Sequence, residues 1–337
     1  MRQTETPRIP RTLSRALPKA VAATVAAGLL ATGCSLSADP GSDKTEAKAG
    51  SLAKAANLKG VKVTVGSKEF TEQLILCEIT AQALQSAGAQ VTRKCGLQGS
   101  DTTRKALTSA NIDMYWEYTG TAWISYMQHT KPVPGSQGQY EAVKKEDEKE
   151  NGIVWLDYAS FNNSYAIGAK AGKAKELGVA TLSDLAKLAK DKPAQASLCT
   201  NSEFAARDDG LPGVEKTYDF KLPSDSVATL QEGAIYNAVD KGDPCNFGMM
   251  TNTDGRVKAL GLTILKDDKA FFPLYNPAVS IRKQVLDANP NIAKVLNPVA
   301  KALDTKGIRS LNSQVDIDGL RPPETATKWL QNKGFIG

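Results

Sequence analysis

Three tyrosines stand near expected strand ends and Gly/Pro turns: Tyr118 in "WEYTGT", Tyr165 in "FNNSY" and Tyr275 in "LYNPA". Lys68 and Arg207 accompany them along the chain. Aromatic faces carry a negative quadrupole that attracts cations, by about 2 kcal/mol or more per ring when the cation is desolvated. A quaternary ammonium has no N–H to donate, so a box of ring faces is the effective way to hold it. A Lys or Arg opposite such a box would pair with a carboxylate on the same ligand. These residue types suggest a zwitterion carrying a methylated ammonium. Tyrosine at strand ends is also common core material, so composition leaves both readings open.

The groups that usually run catalysis are scarce. Histidine is the common proton carrier near neutral pH, and the chain has one, His129, in the turn-rich segment "YMQHTKPVPGSQG". No GxSxG elbow accompanies it, and HExxH, GxxxxGK[ST] and a dinucleotide-binding glycine fingerprint are all missing from the sequence. Asp208 and Asp209 are neighbours and point in different directions, a poor shared acid/base site. No metal ligand set or cofactor is expected, and the reading is non-enzymatic.

The elements that would position the tyrosines follow from periodicity. Val61, Val63 and Val65 alternate along a strand that ends at Gly66. A helix follows, with Thr71 as expected cap, Glu72 and Gln73 in its first turn, and Leu74, Cys77, Ala81 and Leu84 on one stripe. "AQVTRKC" is the next strand, so the fold class is α/β. "IDMYWEYT" is a strand whose Tyr115 and Trp116 are expected as packing. "KKEDEKENG" is a solvated helix face. After "IVWLDYASFNNSYAIGA" a fresh α/β series begins, in which Thr181 and Asp184 form a capping box ahead of Leu182, Leu185 and Leu188. Two such series and a late helical return suit two lobes. Periodicity alone leaves open whether the chain crosses between them once or twice.

The formal charge of +6 on 337 residues is concentrated at the N-terminus. Residues 1–33 carry +4 of it, which leaves no basic tract for nucleic acid. That segment has a basic start, then "AVAATVAAGLLATGC", an apolar run too short to span a bilayer comfortably. "LATGC" resembles the box of bacterial lipoprotein signals, which implies cleavage after residue 33 and a lipid anchor at Cys34. Residues 34–60 would then be a flexible tether, being rich in Ser, Gly, Ala and Lys. Four cysteines remain. In an exported chain Cys77–Cys95 with Cys199–Cys245 is the favoured pairing, because each bridge closes within one stretch; four buried thiols are the alternative.

"VTVGSKEFTEQ", "DMYWEYTGTAW", "DYASFNNSYAIG", "NSEFAARDDGLPG", "TDGRV", "LKDDKAFFPLYNPAV" and "LRPPETATKWLQNKGF" fall in one recognisable order. Across residues 61–337 the chain resembles the substrate-binding lipoproteins of ABC transporters for glycine betaine, carnitine, choline and related osmoprotectants. The resemblance implies a two-lobed type II periplasmic-binding-protein fold with two hinge crossovers and the ligand in the cleft. Lobe one would be 61–161 with 274–337, and lobe two 162–273. It places Tyr118, Tyr165 and Tyr275 in a cation cage, with the Asn163 carbonyl facing the cation. Lys68, Thr121 and Arg207 match positions at the ligand's other end. Relatives commonly have a fourth tyrosine where this chain has Thr251, with Met250 or Phe247 able to fill the gap. The implied partners are a cognate permease, its ATPase and the membrane through the anchor. The expected protein is a monomer on the extracellular face or in the periplasm. Rival readings are a different methylated amine such as ergothioneine, an extracytoplasmic enzyme, and a protein-binding surface lipoprotein.

Overall fold

The computed structural model describes residues 49–337. The export signal, Cys34 and the first part of the tether lie outside the described residues. Among those described, no helix is long and apolar enough to cross a membrane.

Among the described residues, ten strands form two five-stranded sheets. They are β1 (Lys62–Lys68), β2 (Gln90–Leu97), β3 (Met114–Tyr118), β4 (Ile153–Tyr158), β5 (Tyr165–Lys170), β6 (Leu198–Thr200), β7 (Val227–Thr229), β8 (Phe247–Thr251), β9 (Leu262–Ile264) and β10 (Pro277–Arg282). The first sheet has the order β2-β1-β3-β10-β4 and the second β7-β6-β8-β5-β9. Each combines parallel strands with one antiparallel insert, β10 in the first and β5 in the second. The chain therefore passes between the sheets twice, from β4 to β5 and from β9 back to β10, which settles what periodicity left open. The two connections lie side by side. Ala159 N–H donates to the Pro277 carbonyl at 2.8 Å, and Asn163 N–H to the Tyr275 carbonyl at 3.2 Å.

Val63 and Val65 bury one face of β1 under the helix Thr71–Ser86, whose Ile75, Leu76 and Ile79 are fully enclosed. Trp116 joins that core, donating its indole N–H to Thr80 Oγ1 at 2.7 Å, while Tyr115 faces a smaller cluster on the opposite side of the sheet. Both are packing residues, as the alternation of β3 requires. A disulfide joins Cys77 on this helix to Cys95 on β2, and another joins Cys199 on β6 to Cys245 just before β8. Each bridge stays within the elements of one sheet. The Thr181–Asp184 capping box is formed, and Leu182 and Leu185 are buried beneath the second sheet.

Two local expectations are corrected. Thr71 does not cap its helix: Phe70 occupies the N-cap position without a side-chain bond, and the Thr71 hydroxyl donates to Asp316 Oδ1 at 2.7 Å. Residues 49–60, read as part of the tether, are folded. Ser51–Ala55 is a helix that buries Leu52, Leu58 is also enclosed, and Ser51 N–H donates to the Gly334 carbonyl at 3.0 Å. Two leucines in a polar segment suffice, because the helices Thr71–Ser86 and Asn291–Ala302 supply the apolar surface that they cover.

Candidate functional site

The strand ends of both sheets converge on one small cavity of about 40 Å³. From the first sheet come Lys68 at the end of β1 and Tyr118 at the end of β3, with Thr121 in the following turn. From the second come Tyr165 at the start of β5 and Thr251 at the end of β8, which pair directly across the antiparallel ladder. Asn163 and Tyr275 arrive from the two connections. Ligands of open α/β sheets characteristically bind at such strand ends.

The rings are held by hydrogen bonds behind the cavity. Tyr165 and Tyr275 meet edge to face, with centroids 5.4 Å apart and an interplanar angle of 68°. Tyr275 donates its hydroxyl to Asp209 Oδ2 at 2.6 Å. Gly120 makes room for this ring, since a Cβ there would lie 2.7 Å from Tyr275 Cδ1. Tyr118 donates to Glu72 Oε1 at 2.7 Å and stacks near Phe70. Burial pushes all three phenols well above their ordinary pKa, so they stay neutral.

Glu72 organises this wall. Fully enclosed, it accepts from Tyr118, from Asn163 Nδ2 at 3.0 Å, from Thr253 Oγ1 at 2.5 Å and from Asn312 Nδ2 at 3.1 Å. Desolvation still raises its pKa above the usual carboxylate range, against those four bonds.

The structure pairs both expected cations with carboxylates of the protein. Lys68 Nζ contacts Glu117 Oε1 at 2.7 Å and lies 5.4 Å from the Tyr118 ring centre. Arg207 stands behind Tyr165 rather than on the cavity wall, 5.5 Å from its ring centre. Its guanidinium grips Asp209 with two bonds of 2.6 and 2.5 Å and Glu203 with one of 2.6 Å. Met250 and Phe247 are fully buried in the second core and leave the cavity wall to Thr251. Behind Thr251, its amide N–H donates to the Tyr236 hydroxyl at 3.1 Å. His129 stacks on Trp123 and contacts Glu146 at 2.9 Å.

Six lining residues were not read from the sequence: Glu69, Phe70, Ser100, Asn201, Glu203 and Glu232. Their signal is positional. Phe70 and Glu203 follow β1 and β6 at strand-to-helix turns, where such folds present side chains to a cleft. Glu232, half-buried, is pushed up to about 8, mainly by desolvation and then by Asp254, with Arg256 opposing.

Residues 61–332 match the family described as the substrate-binding domain of the ABC-type glycine betaine transport system. A glycine-betaine-binding protein of Pseudomonas aeruginosa is 37% identical over 293 residues, 86% of this chain and 91% of its own. The glycine betaine-binding protein YehZ of Escherichia coli is 34% identical over 278 residues, 81% of this chain and 91% of its own. A crystal structure described as a glycine betaine/carnitine/choline ABC transporter is 25% identical, with a TM-score of 0.65 over 81% of this chain and 99% of that one.

Proposed function

Because the chain belongs to the family of substrate-binding domains of ABC-type glycine betaine transport systems, we propose that its cavity encloses the methylated ammonium of an osmoprotectant. The protein is an extracytoplasmic solute-binding component of an ABC importer, with the type II binding-protein fold, and is not an enzyme. The ligand belongs to the glycine betaine, carnitine and choline group. The observation that carries this reading is the convergence of Tyr118, Tyr165 and Tyr275 on one enclosed space with Thr121 and Lys68 beside them.

Ring faces and hydroxyls suit a cation that cannot donate hydrogen bonds. The Asn163 carbonyl would face the cation, Lys68 would border the ligand's polar end, and Arg207 would act on that end from behind Tyr165. Thr251 leaves the cage one ring short of the pattern common among relatives. The connections at 159–164 and 265–276 act as the hinge about which 162–273 closes on 61–161 and 274–337. The loaded, monomeric protein then docks on its permease and, through it, the ATPase. It is held near them by a lipid at Cys34.

Calorimetric titration of the mature chain with glycine betaine, carnitine, choline and ergothioneine tests the reading. Binding of a quaternary ammonium with a 1:1 stoichiometry is expected, and no binding by any of the four would overturn it. Metabolic labelling with palmitate, lost in Cys34→Ala, tests the anchor.

A further inference from the structure

Two open grooves, of about 710 and 690 Å³, lie outside the cage cavity. Among the described residues, Glu203 is the one side chain that borders both grooves and the cavity. It belongs to the short helix Ser202–Ala206 after β6, and it reaches across to the first sheet's side of the cleft. Its Oε2 accepts the Ser100 N–H at 3.0 Å, and its Oε1 accepts the Ser100 hydroxyl at 2.6 Å and Arg207 Nη1 at 2.6 Å. Ser100 is the first residue of the helix Ser100–Thr108, so the amide is one of its unpaired N-terminal donors. Desolvation acts to raise the Glu203 pKa, yet Lys68, Arg207 and the Ser100 bonds bring it down to about 2. The group is therefore a carboxylate at any physiological pH.

A helix N-terminal amide, a hydroxyl and a guanidinium are the donor set that a ligand's carboxylate would require. Here a side chain of the protein fills it. The remaining positive charge is also committed: Lys68 to Glu117, and the other edge of Arg207 to Asp209. Glu69 and Glu232 add two further carboxyl groups to the cavity lining, and Glu69 accepts the Gly99 N–H at 3.0 Å. A zwitterionic betaine would have to displace Glu203 or leave its own carboxylate beside it. A quaternary ammonium alcohol brings no carboxylate to compete with Glu203 and meets rings, hydroxyls, side-chain amides, the ion-paired Lys68 and an acidic rim.

We infer that Glu203 is a specificity-determining residue, an internal stand-in for a ligand carboxylate, and that the site prefers a choline-type quaternary ammonium alcohol to a carboxylate-bearing betaine. The inference rests on the quaternary-ammonium reading given above. Such discrimination comes from repulsion of the wrong ligand as much as from attraction of the right one.

The test is titration of the mature chain with choline and with glycine betaine. Wild-type protein is expected to bind choline at least about tenfold more tightly, a difference of about 1.4 kcal/mol. Glu203→Ala is expected to shrink that ratio at least about fivefold, chiefly by improving glycine betaine. Ser100→Ala, which loosens the contact and keeps the charge, should weaken both ligands by a similar factor. A wild-type preference for glycine betaine, or equal affinities, would overturn this inference and leave the wider reading standing. An equal shift of both ligands in Glu203→Ala would also overturn it, since that is the mark of a closure contact alone. If neither ligand nor carnitine binds wild-type protein, the inference falls together with the reading beneath it. The wild-type ratio is informative even if a variant fails to fold.

Discussion

Tyr275 donates its hydroxyl to Asp209, and the same carboxylate holds Arg207 in a two-pronged ion pair. A residue of the connection into the first sheet is thereby fixed by the second sheet's acidic loop. The bond aims the ring, while the ring face is what a cation would feel.

These two contributions separate by mutation. Tyr275→Phe keeps the face and removes one hydrogen bond, so it should cost about 1 kcal/mol of stability and change ligand affinity by less than about threefold. Tyr275→Ala, and equally Tyr165→Ala, removes a face and should weaken binding at least about tenfold. Thermal melts and calorimetry on the same preparations distinguish the outcomes. Unchanged affinity in both alanine variants would dismiss the cage.

Glu72 is predicted to be the costliest polar residue to lose. Glu72→Ala strands the Tyr118 hydroxyl, the Asn163 amide and the Thr253 hydroxyl in a buried space, and leaves Asn312 Nδ2 only its bond to the Thr253 carbonyl. Unpaired buried donors cost about 1–3 kcal/mol each, with partial relief by rearrangement, so a loss on the order of 3–5 kcal/mol is expected in urea denaturation. A loss below about 1 kcal/mol would show that water replaces the carboxylate.

Cation binding should expel a proton from Glu232. In the ligand-free protein the Glu232 carboxyl is pushed up to about 8, mainly by desolvation and then Asp254, with Arg256 opposing and Glu69 and Glu203 adding repulsion. A quaternary ammonium beside it favours the ionised form. The sign follows: affinity rises with pH from the bound-state pKa to about 8, then levels off. Calorimetry in buffers of different ionisation enthalpy reads the released proton directly. Glu232→Gln should flatten the profile, and a flat wild-type profile would refute the coupling.

The two disulfides should differ in weight. They close 18 and 46 residues of chain, for which chain-entropy estimates give about 3 and about 4 kcal/mol. Replacing Cys199 and Cys245 together by serine should therefore lower stability more than replacing Cys77 and Cys95. Thermal denaturation of the two double variants ranks them.

What was legible in the sequence is what local pattern encodes. The valines of β1, the Thr181–Asp184 capping box and the short-range cysteine pairs all work within a few tens of residues, and the structure has them. The three tyrosines were singled out by their place near strand ends and turns, and the structure brings them to one cavity. The acidic partners were not, because charge pairing here is tertiary: Glu203 meets Ser100 across 103 residues, and Glu72 meets Asn312 across 240. Thr71 shows the same limit. Its residue type suits a cap, but Asp316, 245 residues away, takes its hydroxyl.

The side-by-side connections give the molecule a simple mechanical property. Tyr165 begins the strand leaving one connection and Tyr275 ends the other, and the two segments are bonded to each other at Asn163 and Tyr275. Any swing of one sheet against the other pivots at this seam, so the spacing of the rings changes with the angle. In the proposed closure, ligand occupancy and overall posture would be a single coordinate. A permease touching only the outer surface would then sense a filled site without ever contacting what fills it.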